Sequence, residues 1–76
     1  MNNEKKLYDL IKANNNFLAM HDTEVANLLG VSRYSIPNYK KRLITKGYIE
    51  TKVRVENNRP LTLYKIIKDY DGKVEW

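Results

Sequence analysis

The sequence predicts a small α+β domain in which three helices and one short strand are followed by a β-hairpin. Three observations support this fold class. Apolar residues recur at helical spacing as far as residue 46, the pattern then alternates with a period of two, and a turn-rich stretch divides the alternating part into two segments. The 76 residues, 42% of them apolar, are enough for one domain with a thin hydrophobic core.

The composition excludes several kinds of site and enzyme. A chain of this length has no room for a large enzyme with its own cofactor domain, and the lack of cysteine excludes disulfides, thiolate metal sites and cysteine nucleophiles. The three glycines stand far apart, so there is no glycine-rich phosphate loop. No apolar run approaches the roughly 18 residues that span a bilayer. We therefore expect a cytoplasmic protein that is not an enzyme. We also expect that it does not bind a membrane or a metal ion and that it has no cofactor or small-molecule effector.

The first element is predicted to be an amphipathic helix over residues 4–13. Leu7 and Ile11 lie four residues apart and so share one helix face, while charged residues occupy the other. Three consecutive asparagines at 14–16 end this helix, since asparagine tolerates the left-handed backbone that follows a helix. The apolar residues 17–20 are too few for a helix and are predicted to form a short strand, with a packed connector as the alternative.

The second helix is predicted over residues 23–29. Asp22 or Thr23 offers a side-chain oxygen to the free amides of its first turn. Gly30 ends this helix, because glycine adopts a left-handed backbone without steric cost.

The third helix is predicted over residues 33–46, with Ile36 and Leu43 on its inner face. Pro37 lacks an amide proton and is tolerated only within the first turn of a helix. We therefore expect the regular helix to begin close to Ser35, after a looser turn.

Two strands of a hairpin are predicted after Gly47, over residues 48–55 and 61–68. Charged and β-branched side chains alternate in the first segment, which indicates a half-exposed strand. Both faces of the second segment carry apolar residues, so the pattern leaves open whether Leu63 or Tyr64 points inward.

Residues 69–76 form a tail with two interpretations. Asp71-Gly72 is a two-residue hairpin signal that would fold the last residues back on the second strand. In the other interpretation the tail frays, or it packs at a contact between subunits that covers Trp76.

The positive charge is concentrated in the middle of the chain. The whole chain has 14 basic and 9 acidic residues, a net charge of +5. Residues 32–59 hold eight basic and two acidic residues, a net charge of +6, and the other 48 residues sum to −1. A basic block interleaved with asparagine and tyrosine is typical of a nucleic-acid-binding surface, where cations neutralise phosphates and amides reach bases. The plainer interpretation is a solvated helix face, although such faces usually mix both signs.

The order of elements and two short motifs resemble a winged helix-turn-helix DNA-binding domain. The motifs are EVANLLGVSR at residues 24–33, with a small residue at Ala26 and a glycine at the turn, and KGYI at residues 46–49, where the third helix passes into the hairpin. The resemblance covers residues 4–68. It implies a three-helix fold with a C-terminal β-hairpin wing, binding of specific sequences of double-stranded DNA, and no catalytic residues.

The resemblance also implies which residues contact DNA. The exposed side of the third helix would enter the major groove with Arg33, Tyr34, Ser35, Asn38, Lys41 and Arg42. Phosphates would be bound by Lys40, Lys46, Lys52 and Arg54, and the minor groove or its backbone would be contacted by Asn57, Asn58 and Arg59 at the hairpin tip. Asn38 is the best candidate for reading a base, because an asparagine amide pairs with adenine through two hydrogen bonds.

Two positions depart from the family pattern. Lys40 falls where the family usually has an apolar core residue, and Tyr39 would then supply the packing and rotate the exposed face by about 100°. Pro37 in the third helix leaves the exact contacts of the first turn open.

The expected partner is double-stranded DNA, bound by a homodimer that regulates transcription, with contact to RNA polymerase or another protein. One small module rarely reaches useful specificity, whereas two would span half-sites about one helical turn apart. Three other functions stay open. One is an accessory factor for replication, excision or segregation of a mobile element, and another is a winged-helix protein-interaction module that does not bind DNA. The third is non-specific architectural binding of DNA.

Overall fold

The structure is a computed structural model that describes residues 3–70. Its elements are, in order, α1 (Asn3–Ala13), β1 (Phe17–Met20), α2 (Asp22–Leu29), a 3₁₀ turn (Arg33–Ser35), α3 (Ile36–Thr45), β2 (Ile49–Glu56) and β3 (Arg59–Ile66). The described part is thus an α+β fold of three α-helices and one three-stranded antiparallel sheet. The predicted turn at Asp71-Gly72 and the contacts of Trp76 lie outside the described residues. Between residues 3 and 70, no helix has the length and apolar character needed to cross a membrane.

The core lies between the three helices and one face of the sheet. Its fully buried side chains include Leu7, Ile11, Val25, Ile36, Leu43, Ile49 and Tyr64. Tyr64 points inward from β3 and Leu63 lies on the outer face of the sheet, which decides the orientation that the sequence left open. Tyr39 packs against this core, and its hydroxyl accepts a hydrogen bond from Asn3 Nδ2 at 3.1 Å.

The sheet has the strand order β1-β3-β2, so β3 is the central strand. Antiparallel pairing of β2 with β3 runs from Ile49↔Ile66 to Glu56↔Arg59, whereas β1 pairs with β3 only as far as Met20↔Thr62. The outer part of the hairpin therefore has two strands and no third neighbour. The molecule is accordingly elongated, with extents of 45 × 23 × 21 Å.

The turn of the hairpin is shorter than the sequence predicted. Only Asn57 and Asn58 lie between the strands, with φ angles of 53° and 62°. Asparagine tolerates positive φ, and two such residues make a tight turn whose twist matches the flanking strands. As a result β2 covers residues 49–56 instead of the predicted 48–55, and β3 covers residues 59–66 instead of 61–68.

The regular part of the third helix begins at Ile36, close to the start expected near Ser35, and the predicted range of residues 33–46 includes the looser turn before it. Residues 33–35 form the 3₁₀ turn, in which Ser32 Oγ accepts a hydrogen bond from the Tyr34 N–H at 3.1 Å. The regular helix starts at Ile36, which places Pro37 in its first turn. The missing amide proton of Pro37 breaks no helix hydrogen bond there, so the proline fixes where α3 begins.

The prediction that Asp22 or Thr23 caps α2 is wrong. His21 occupies the cap position, and its backbone N–H donates a hydrogen bond to Glu24 Oε1 at 3.1 Å. Asp22 already belongs to the helix, and its carboxylate lies 3.3 Å from Lys40 Nζ on α3. The Asp22 carboxylate therefore forms an ion pair between α2 and α3 and does not cap α2.

Gly30 allows the chain to reverse after α2, because its φ angle is 72°. No heavy atom lies within 4 Å of the position that a Cβ would take, so the cost of a side chain is confined to the left-handed backbone. We expect Gly30→Ala to lower the free energy of unfolding by about 1–2 kcal/mol in urea denaturation. Gly30→Asn should cost less, since asparagine tolerates this backbone. Equal losses for the two variants would contradict this explanation.

Candidate nucleic-acid interface

The solvent-facing side of α3 brings polar and basic residues together. Asn38, Lys41, Arg42 and Thr45 are exposed, and we call this set the α3 face. Helical spacing places it opposite Ile36 and Leu43, which are fully buried. The α3 face and Lys46 line a shallow depression of about 440 Å³. The core packing of α3 therefore determines which side chains it presents to solvent.

A buried acidic residue lies behind two of these cations. Glu4, at the start of α1, is only 4% exposed, and its carboxylate is 2.7 Å from Lys46 Nζ and 3.9 Å from Arg42 Nη1. The hydrogen bond to Glu4 is the main cause of a raised pKa for Lys46. Glu4 thus holds the two cations at the C-terminal end of α3 while their outer surfaces remain exposed.

The 3₁₀ turn presents an aromatic ring and a guanidinium as one unit. Arg33 Nη2 donates a hydrogen bond to Tyr34 Oη at 3.1 Å, and the guanidinium carbon lies 5.0 Å from the centre of the ring. This hydrogen bond and the positive charge lower the pKa of Tyr34, and the same hydrogen bond raises the pKa of Arg33. Tyr34 is 74% exposed, so its ring is available to a partner.

A cleft joins the 3₁₀ turn to the start of β3. Its volume is about 380 Å³, and it brings Arg33 and Tyr34 close to Arg59 and Pro60, with His21 at the start of α2 forming another wall. We call this feature the arginine cleft. The fold therefore places two arginines from distant parts of the sequence around one concave surface. Pro37 also lines the cleft, which connects it to the first turn of α3.

Two predicted contacts, Lys52 and Arg54, lie on the other face of the sheet. Ile49 points into the core, so alternation along β2 turns residues 50, 52 and 54 away from the helices. Arg54 Nη1 also lies 3.9 Å from Glu56 Oε2 within the hairpin. The fold does not bring these two cations together with the α3 face.

Lys40 is a further departure from the predicted interface. Its side chain is only 17% exposed, and its Nζ donates to the Asp22 carboxylate, 3.3 Å from the nearer oxygen. The ion pair places Lys40 between α2 and α3. Lys46 is also paired with a carboxylate but its side chain is 51% exposed, whereas the Lys40 side chain is held between two helices, so Lys40 is better described as a structural contact than as a phosphate ligand.

The remaining predicted residues differ in exposure. Ser35 is half-buried at the end of the 3₁₀ turn, whereas Asn57 and Asn58 are exposed at the hairpin tip. Sequence reasoning left Thr45 out of the interface, although its spacing of four residues from Lys41 would have placed it on the α3 face. It also missed His21, which lies 39 residues from its partner Pro60 and has no local sequence signal.

The chemistry available on this surface is that of cations, amides and one aromatic ring. Within residues 3–70, no group of three or more His, Asp or Glu side chains is arranged to hold a metal ion. Cationic and amide groups on the exposed face of a helix suit an anionic, base-bearing polymer.

Comparisons with known protein families, with characterised proteins and with solved structures find no match to this chain. No relative supplies a function. The functional assignment therefore depends on the geometry of the α3 face and the arginine cleft.

Proposed function

We propose that this chain is a winged helix-turn-helix protein that binds specific sequences of double-stranded DNA, with α3 in the major groove. The observation that carries the proposal is the α3 face, where Asn38, Lys41, Arg42 and Thr45 are exposed directly opposite the buried residues of the same helix. An α-helix with its side chains is about 10–12 Å across and fits a major groove about 12 Å wide. Lysine and arginine would neutralise phosphates, and the Asn38 amide would read a base edge.

The arginine cleft extends this surface beyond the first turn of α3. Arg33 and Arg59 would bind phosphates on either side of the cleft, and the exposed tip at Asn57 and Asn58 would reach the minor groove. Lys52 and Arg54 are not part of the proposed surface, because they lie on the outer face of the sheet and, unlike Arg59 beside the hairpin turn, do not line the cleft.

The proposed biological role is regulation of transcription by a cytoplasmic homodimer that occupies its site and blocks or contacts RNA polymerase. A helix of ten residues reaches only a few base pairs. Two copies on half-sites about one helical turn apart would supply the specificity that one copy lacks.

Selection of bound duplexes from a random pool tests the proposed function directly. We expect one enriched motif with two-fold symmetry and a half-site spacing of about 10 base pairs. Enrichment of a single half-site would contradict the dimer but not the specific binding. If no duplex is retained at low salt, the proposed function fails and a protein partner becomes the better explanation.

Asn38→Ala should relax the preference at one base pair of the selected site. We expect the discrimination at that position to fall about 5- to 150-fold, the equivalent of about 1–3 kcal/mol for a bidentate contact. Lys41→Ala, on the same face, is the matched control and should weaken binding about equally for all sequences. Competition titrations with single-base variants of the site measure both effects. Equal losses on specific and random duplexes for Asn38→Ala would refute its role in base reading.

A further inference from the structure

The outer part of the hairpin, residues 53–61, has little support from the rest of the fold. β1 ends at Met20, which pairs with Thr62, so the strands beyond this point have no third neighbour. Val53 and Val55 are 64% and 71% exposed, although they lie on the face that is buried nearer the core. A two-stranded ribbon with so little burial is marginally stable in water. Its position relative to α3 must depend on specific contacts.

A histidine at the end of β1 makes such a contact. His21 Nδ1 lies 2.7 Å from the carbonyl oxygen of Pro60, and since a carbonyl only accepts hydrogen bonds, Nδ1 is the donor. Pairing of Val55 with Pro60, one step beyond the turn-closing pair Glu56↔Arg59, turns the Pro60 carbonyl away from β2 and toward the open edge. The imidazole therefore supplies the hydrogen bond that a longer β1 would have supplied through its backbone.

His21 is itself held by the helical body. It lies between the end of β1 and the start of α2, and its carbonyl oxygen accepts hydrogen bonds from the backbone N–H groups of Glu24 and Val25. Its side chain is half-buried and lines the arginine cleft. Arg33 and Tyr34 of the 3₁₀ turn line the same cleft. The His21 contact thus joins the hairpin to the start of α2 at this cleft.

We propose that His21 is a positioning residue that holds the outer part of the hairpin against α2 and keeps the start of β3 at the arginine cleft. Arg59 lines the cleft from the hairpin and Arg33 lines it from the 3₁₀ turn, so a hairpin that is held in place keeps both residues at the cleft before a ligand arrives. Preorganised groups bind more tightly because less conformational freedom is lost on binding. The consequence for DNA affinity rests on the proposed function, whereas the consequence for the order of the hairpin does not.

Backbone order parameters of residues 53–61, measured by ¹⁵N relaxation on the free protein, test the positioning role. His21→Leu replaces the imidazole by an apolar side chain of similar size and so removes the hydrogen-bond donor. His21→Asn keeps an N–H group at the δ position that can still donate to the Pro60 carbonyl. We expect values near 0.85 in the wild type and in His21→Asn, and a fall toward about 0.6 in His21→Leu. Unchanged order parameters in His21→Leu would overturn the proposal.

Glu24→Ala is the matched control, because it removes the side-chain hydrogen bond to the His21 backbone N–H and keeps the hydrogen bonds to the His21 carbonyl oxygen. It should lower the thermal stability of the fold through the loss of the helix cap and leave the order of residues 53–61 unchanged. If Glu24→Ala loosens the hairpin as much as His21→Leu, then α2 as a whole positions the hairpin and the imidazole does not.

Binding to the selected duplex separates this inference from the proposed function. We expect His21→Leu to bind about tenfold more weakly than the wild type while circular dichroism shows the same helix content. If His21→Leu has a mobile hairpin and binds DNA as tightly as the wild type, the effect on affinity is refuted. If the wild type binds no duplex, the proposed function fails, and the order parameters still decide the positioning role.

Discussion

Raising the salt concentration from about 50 to about 200 mM should weaken binding of one protomer to its half-site about 500-fold. Five cations lie on the α3 face, beside it or in the arginine cleft: Arg33, Lys41, Arg42, Lys46 and Arg59. Each phosphate contact on B-DNA contributes about −0.9 to the slope of log affinity against log salt, so five contacts give a slope of about −4.5. Fluorescence anisotropy with a labelled half-site duplex measures the slope.

Two neighbouring lysines provide a matched control for this slope. Lys41 is exposed on the α3 face, whereas the Lys40 side chain is only 17% exposed and lies in an ion pair between α2 and α3. Lys41→Gln should therefore reduce the magnitude of the slope by about 1, and Lys40→Gln should leave it unchanged. If both variants reduce the slope by the same amount, the distinction between an exposed Lys41 and a Lys40 held between two helices is wrong. A flat salt dependence of the wild type would favour a protein partner over DNA.

The elements of the fold could be predicted from the sequence because each has a local cause. The helical spacing of Leu7 and Ile11, the glycine after α2 and the alternation after Gly47 act over a few residues. The α+β class and the hairpin follow from these signals. The pairing of β1 with β3 joins residues more than 40 positions apart, from Phe17↔Lys65 to Met20↔Thr62, and has no local signal. The resemblance to a winged helix remains a proposal, because it depends on motifs that no comparison supports.

The errors came from contacts between residues that are far apart in the chain. The local sequence at Asp22 fits a helix cap, but its carboxylate accepts a hydrogen bond from Lys40, 18 positions away. The same ion pair holds Lys40 between two helices and so removes it from the interface. Glu4 belongs to α1 by pattern, and only the packing of α1 on α3 places it beneath Arg42 and Lys46. Lys52 and Arg54 were grouped with the other cations by charge alone, without the alternation that turns them to the outer face of the sheet.

Leu43→Ala should lower the free energy of unfolding by about 2–5 kcal/mol, because Leu43 is fully buried and the variant leaves a cavity between α3 and the rest of the core. The free energy of unfolding of a 76-residue domain is about 4–11 kcal/mol in total, so the loss is a large fraction of its stability. The expected fall in Tm is about 10–30 °C, which differential scanning calorimetry measures.

Ile44→Ala, at the adjacent position, is the matched control for the rotation of α3. Ile44 is 43% exposed, so its truncation should cost less than about 1 kcal/mol, partly offset by the higher helix propensity of alanine. A reversed order of the two losses would mean that α3 is rotated by about 100° from the described packing. Asn38, Lys41 and Thr45 would then no longer share the outward face, and the surface on which the DNA proposal depends would not exist. The same pair of stability measurements therefore tests the core and the candidate interface together.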